Sequence, residues 1–153
     1  MLDRLNAPRQ TSLDPAVVPA FVVRTFDANR NGVLGQDELV LAKPLGGPVN
    51  RDALAAGLAA LPAGDRQRVV DIASDLDAHG SAGTELTLFG AMSTVTTLAS
   101  TAFCFFTLGW PAALACGGFL GLGAFLLLRD GLRNKAAAKG DRQGLAKLLG
   151  ELL

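Results

Sequence analysis

The sequence predicts an all-α protein in three parts, and three observations support this fold class. Residues 86–128 form an uncharged, mainly apolar block that is long enough for two helices. Leucines at helical spacing line the end of the chain, and the residues before the block are divided by residues that cap or end helices. We therefore expect a helical domain at residues 1–85, a hydrophobic helical hairpin at 86–128, and a basic linker with an amphipathic helix at 129–153.

Three helices are predicted in the first part. Asp14, followed by proline, is typical of a helix start, although Pro19 delays that start. Asn50 is a suitable N-cap for a second helix, which Pro62 ends. Asp65 is expected to cap a third helix, on which four apolar residues share one face: Val69, Ile72, Ala73 and Leu76.

The apolar block reads as two membrane-spanning helices at residues 87–109 and 111–128. A bilayer needs about 20 apolar residues per helix, and both segments meet that length. Between them, Gly-Trp-Pro at 109–111 combines turn residues with an interfacial aromatic. The alternative is a buried hairpin in a soluble protein, but a chain of 153 residues has little other surface with which to cover it.

The flanks of the hairpin predict its orientation. Five basic residues follow the second segment, and the positive-inside rule places such residues in the cytoplasm: Arg129, Arg133, Lys135, Lys139 and Arg142. A hairpin returns the first domain to the same side, so we expect both termini in the cytoplasm. The first 15 residues lack an apolar core, so no signal peptide is expected.

Small and polar residues mark helix contacts inside the two segments. Ala113, Gly117 and Gly121 repeat every four positions, which favours close helix packing, for example in a homo-oligomer that forms through Gly117 and Gly121. The alternative is that glycines are simply common in membrane helices. Cys104 and Cys116 are expected to be small apolar fillers. A polar stripe is predicted to face another helix, with its hydroxyls bonded to carbonyls of their own helix and with a pore lining as the alternative: Ser93, Thr97, Ser100 and Thr101.

Residues 26–39, FDANRNGVLGQDEL, carry the spacing D-x-N-x-N-G-x5-E from Asp27. This spacing resembles the calcium loop of the EF-hand family. The resemblance implies a Ca²⁺ site in which Gly32 allows the bend and five residues supply oxygen ligands: Asp27, Asn29, Asn31, the Val33 carbonyl and both carboxylate oxygens of Glu38. The alternative is an Asn- and Gly-rich turn that binds no metal.

The sequence departs from the family in three ways. Two of the ligands are neutral asparagines, which implies a weak affinity of about 10⁻⁵ M or poorer. Pro44 is expected to cut the leaving helix short. EF-hands usually occur in pairs. Residues 76–86, which include His79, are either a degenerate second loop or a plain linker between a helix and the membrane.

Charge and composition narrow the function. Residues 1–85 carry eight Lys/Arg against eleven Asp/Glu, and residues 129–153 carry six against three. A neutral chain argues against nucleic-acid binding, and no nucleophile stands near a base, so no enzyme is predicted. We predict a calcium-binding, membrane-associated regulatory module. The alternatives are a secreted effector or toxin-like protein that inserts into a target membrane, and a small oligomeric channel.

The expected partners follow from the same features. The hairpin predicts membrane lipid as a partner. The last helix is predicted to dock on the first domain of its own chain, with calcium changing the docking. The alternatives are that it lies on anionic lipid, contacts another copy of the chain or another protein, or simply packs in the core. This helix is expected to open at Gly140. Its apolar stripe has the spacing i, i+3, i+4, i+7, i+8: Leu145, Leu148, Leu149, Leu152 and Leu153.

Overall fold

The computed structural model describes residues 12–41 and 49–153. Within these ranges the chain forms four helices, and this confirms the predicted all-α class. They are α1 (Val18–Phe26), α2 (Arg51–Ala60), α3 (Ala63–Leu108) and α4 (Trp110–Leu152). Two short strands, β1 (Val33–Leu34) and β2 (Val49–Asn50), pair antiparallel. Pro44 and the residues considered for a signal peptide up to residue 11 lie outside the described ranges.

The chain divides into two compact units. The first comprises Met1–Ala78 together with Lys139–Leu153, and the second is His79–Ala138. Both boundaries lie inside long helices. A separate last helix opening at Gly140 was predicted, and this is wrong, because α4 continues without a break through that residue. A single glycine raises the free energy of a helix by only about 1 kcal/mol relative to alanine, which the turns on either side can offset.

Helix starts and ends in the first unit follow local chemistry. Pro19 lies in the first turn of α1, and the Asp14 carboxylate accepts a bond from the Ala16 backbone N–H (2.9 Å) just before it. The predicted Asn50 cap is confirmed, since its side-chain oxygen accepts from the Ala53 N–H (2.9 Å). Asp65, in contrast, lies in the first turn of α3 rather than at its cap.

The core of the first unit contains the end of the chain. Side chains from α1, α2 and α3 are buried there, among them Val22, Leu54 and Val69. Leu145 and Leu149 of α4 are 0% exposed, and Leu153 is buried as well. The last turns of α4 are therefore part of this core, and an effect of calcium on their packing stays a prediction.

The second unit is an antiparallel helical hairpin. Its helices meet at Gly109, whose φ of +85° is easily adopted only by glycine. This confirms the two-helix hairpin and places the turn within the predicted Gly-Trp-Pro. Contacts across the hairpin follow one another away from the turn in matching steps. Thr101 lies beside Gly117, Thr97 beside Gly121, and, farthest from the turn, Gly83 beside Lys135.

A seven-residue repeat of small residues brings the two helices together. On α3 the repeat is Gly83, Gly90, Thr97 and Cys104, all of them buried. On α4 it is Gly117, Ala124, Gly131 and Ala138. At one contact a Cβ on Gly131 would lie 2.8 Å from the Thr87 backbone nitrogen, so a larger residue would push the helices apart. The prediction recognised the four-residue spacing at Gly117 and Gly121 but missed this longer repeat, which the sequence does contain.

The polar stripe of α3 contributes to the same contact. Thr97 is buried and donates its hydroxyl to the Ser93 carbonyl (2.8 Å), which is the bonding predicted for the stripe. The Thr101 side chain lies against Gly117, where a Cβ would be 3.0 Å from its hydroxyl oxygen. Gly117 and Gly121 are thus used inside one chain. A homo-oligomer through them stays a prediction. It would either replace the contact between α3 and α4 within one chain or form in addition to it.

Large apolar side chains of the hairpin point away from the helix contact. In the most apolar 18-residue window of each helix, only 11% of the residues are buried. The mean hydropathy of these windows is 1.4 in α3 and 1.9 in α4, so both helices are long and apolar enough to cross a membrane. The exposed residues include Phe89, Met92, Leu98, Phe106, Trp110, Phe119 and Phe125.

Candidate metal centre

The 27–38 loop begins directly after α1 and is anchored on both sides. Phe26, the last residue of α1, is buried, and Leu34 and Leu39 are 3% and 4% exposed. The middle of the loop forms β1, in which Val33 pairs with Asn50 and Leu34 with Val49. Apolar anchors and one strand pair therefore hold the loop on the first unit.

The first half of the loop is wound by its own side chains. Asp27 accepts from the Asn31 N–H (3.1 Å) through Oδ1 and from the Gly32 N–H (2.7 Å) through Oδ2. The Asn29 side-chain oxygen also accepts from the Asn31 N–H (3.0 Å), and the Asn31 side-chain oxygen accepts from the Val33 N–H (2.9 Å). Gly32 has a φ of +78°, as a tight bend requires. Alternate residues thus point their oxygens to the inside of the turn.

Glu38 closes the loop by binding the backbone at both ends. Its Oε1 accepts from the N–H groups of Ala28 (2.7 Å) and Asn29 (3.2 Å), and its Oε2 accepts from the Gly35 N–H (3.0 Å). The bond from Gly35, followed by those from Asn29 and Ala28, holds the pKa of the Glu38 carboxyl below its ordinary value. Partial desolvation and the nearby Asp27 charge oppose this shift.

The side-chain oxygens of the loop keep free lone pairs for a hard cation, except Oε1 of Glu38. Each carboxylate or amide oxygen has two lone pairs. The Asp27, Asn29 and Asn31 oxygens accept one bond each and keep a lone pair, whereas Oε1 of Glu38 already accepts two. Bidentate binding by Glu38 would therefore require it to release an N–H group. That exchange, added to only two negative ligands, fits a weak site.

The described residues contain no group of three or more His, Cys, Asp and Glu side chains that could hold a metal ion. Of the predicted ligand side chains only Asp27 and Glu38 are acidic, and the other two are asparagines. The predicted ligands Asp27, Asn29, Asn31, Val33 and Glu38 all lie in one wound segment. Their binding of Ca²⁺ stays a prediction.

Of the two alternatives given for a second loop, the degenerate loop is wrong. Residues 76–86 are helical throughout, as part of α3, so they form no degenerate second loop. The leaving helix is reduced, within the described residues, to one turn at 36–38, in which the Leu39 N–H bonds the Gly35 carbonyl (2.9 Å). The strand partner of the loop is instead Val49–Asn50, directly before α2. The only sequence signal for this strand is weak: a β-branched residue, Val49, directly precedes the helix-capping Asn50.

No protein family, curated protein or solved structure matches the chain. Its function is therefore inferred from the geometry of the two units.

Proposed function

We propose that the protein is a calcium-binding, membrane-associated module whose 27–38 loop responds to calcium while its hairpin is held in lipid. The observation that carries the proposal is that one chain joins a loop with inward-facing oxygens to a hairpin with outward-facing apolar side chains. Each half has its own physical support, and no catalytic step is part of the proposal.

The arrangement of the hairpin supports lipid as its surroundings. In water, a two-helix hairpin would bury its large apolar side chains between the helices. Here the contact is made by glycine, alanine and threonine, while phenylalanine, leucine and tryptophan face outward. Close packing of small residues is the usual contact between helices in a bilayer, where burying apolar surface gives no advantage over lipid. Many exposed large apolar side chains gathered on one pair of helices are typical of a membrane-facing or partner-binding surface.

The packing of α4 in the first unit supports a response to calcium. The Arg142 guanidinium lies 5.3 Å from the centre of the Phe26 ring, which directly precedes Asp27. A Cβ on Gly150 would lie 2.7 Å from the Val40 carbonyl oxygen, which follows the loop by two residues. The end of α4 therefore contacts the chain just before and just after the loop. A change in the bonds of Glu38 on metal binding would reach α4 through these two contacts.

A calcium titration of the full chain in lipid nanodiscs tests the proposal. We expect one Ca²⁺ per chain, with a dissociation constant of about 10⁻⁵ M or higher. The Glu38→Gln variant should lose roughly tenfold or more in affinity, because it removes half of the negative charge at the site. Asp37→Asn removes the same charge from the neighbouring residue, which is exposed and lies outside the ligand pattern, and should bind as the parent does.

Two results would contradict the proposal. One is the absence of heat or spectral change up to millimolar Ca²⁺ in the parent protein. The other is equal binding by the Glu38→Gln and Asp37→Asn variants, which would place the cation elsewhere. Circular dichroism of each variant without calcium shows whether a loss of binding comes from a loss of fold.

A further inference from the structure

We propose that Cys104 and Cys116 form a dithiol that converts reversibly to a disulfide and locks the hairpin tip, defined as residues 104–116. Their sulfur atoms lie 3.1 Å apart, one on α3 and the other on α4. The sequence holds no other cysteine. The expectation that each thiol only fills space does not account for two thiols in contact across the hairpin.

The helices, rather than a flexible loop, set the position of both thiols. Cys104 is the last member of the seven-residue repeat on α3, and Cys116 directly precedes Gly117, the first member on α4. The next contact outward from the turn joins Thr101 and Gly117, whose lack of a side chain allows the backbones to approach. Because disulfides require closely spaced backbones, the same close packing that favours the hairpin favours this bond.

The chemistry is a thiol–disulfide exchange with an external disulfide, such as oxidised glutathione or the disulfide of a thiol oxidase. One cysteine thiolate attacks the external disulfide, forms a mixed disulfide and releases one thiol. The second cysteine then attacks its neighbour's sulfur in the mixed disulfide and releases the second thiol. Two electrons and two protons pass from the cysteines to the oxidant, which becomes two thiols, and the chain closes a ring from residue 104 to residue 116.

The proposed membrane topology places this site where oxidation is favoured, and this step rests on the proposed function. With both chain ends in the cytoplasm, the turn at Gly109 lies at the opposite face of the membrane. Cys104 is five residues from that turn, about 8 Å along the helix, which places it in the far half of the bilayer, about midway between the interface and the centre. Disulfides persist in the compartments that such faces border.

The test begins with membranes quenched in acid to prevent exchange, followed by alkylation with N-ethylmaleimide in SDS and mass measurement of the intact chain. We expect a monomeric chain that lacks two hydrogens and carries no alkyl group, and that takes up two groups after reduction. If the membranes come from a reducing host, incubation of the protein in detergent with oxidised glutathione should give the same product.

Single variants provide the controls. Cys104→Ser and Cys116→Ser each leave one thiol, and under oxidised glutathione each should stop at a monomer carrying one glutathione. The proposal is overturned if the parent also keeps glutathione on its cysteines, if both thiols stay open to alkylation after oxidation, or if the bond forms between two chains. None of these measurements depends on calcium, so a failed calcium titration and a failed oxidation are distinguishable.

Discussion

At the scale of single residues, the proposed metal site would give Glu38 a second function that competes with the bonds it makes in the structure. In the described structure its carboxylate ties the Ala28 and Asn29 N–H groups to the Gly35 N–H, and so it joins the two ends of the loop. In the proposed metal site the same two oxygens complete the shell around Ca²⁺. The carboxylate therefore stabilises the loop without metal and must change partners to bind it, which makes metal binding weaker and the loop responsive.

The lowered pKa of Glu38 predicts how the stability of the first unit depends on pH without calcium. Because the folded pKa lies below the ordinary value of 4.5, the stabilisation by Glu38 is fully present above that value and is lost as the pH falls through the folded pKa. Thermal unfolding between pH 7 and pH 3 should show a larger loss for the parent than for Glu38→Gln. If the unfolding temperatures of the parent and of Glu38→Gln fall equally with pH, the three backbone bonds to the Glu38 carboxylate add nothing to stability.

At the scale of helices and strands, the sequence predicted the elements that have their own periodicity or caps. Three features could be predicted because each depends on neighbours along the chain: the Asn50 cap, the turn after α3 and the two apolar helices. The pairing of β1 with Val49–Asn50 was not readable, since a two-residue strand has no period and its partner is chosen in space.

Glycine was the main source of wrong expectations. Residues 76–86 contain Gly80 and Gly83 and were considered as a loop, yet a Cβ on Gly83 would lie 3.0 Å from the Lys135 backbone nitrogen. Gly83 is needed for helix contact rather than for a turn. From a single sequence, both uses look alike until the partner helix is known, although the seven-residue repeat through Gly90 and Thr97 favours the contact.

A matched pair of glycine substitutions tests the hairpin contact. A Cβ on Gly90 would lie 2.8 Å from the Leu128 side chain and 2.9 Å from its backbone nitrogen, whereas one on Gly118 would meet nothing within 4 Å. We expect Gly90→Ala to lower the free energy of unfolding in mixed micelles by about 1–3 kcal/mol. Gly118→Ala should leave it unchanged or raise it by about 1 kcal/mol, through higher helix propensity. Equal effects of the two changes would contradict the described contact.

At the scale of the whole molecule, the first unit joins residues from both sides of the hairpin. Leu145 and Leu149 of α4 are buried in the unit that also contains α1 and α2. If residues 86–128 enter a bilayer, the two flanks must lie on the same side, because they fold as one compact unit. If the hairpin is inserted, residues 12–78 and 139–153 would thus share one side, as the basic residues after the second apolar segment predict, and the placement of both termini stays a prediction.

From this packing and the basic flank we predict that Gly109-Trp110-Pro111 lies at the far face of the membrane and that the first unit lies in the cytoplasm. In a background of Cys104→Ser and Cys116→Ser, an Ala112→Cys variant reports on the turn, and Asp37→Cys reports on the exposed 27–38 loop. A membrane-impermeant maleimide added outside intact cells should label the Ala112→Cys variant alone, and permeabilisation should add the Asp37→Cys variant. Labelling of both variants from outside would contradict the predicted cytoplasmic location of the first unit. Release of the parent protein by carbonate would show that the hairpin is not inserted.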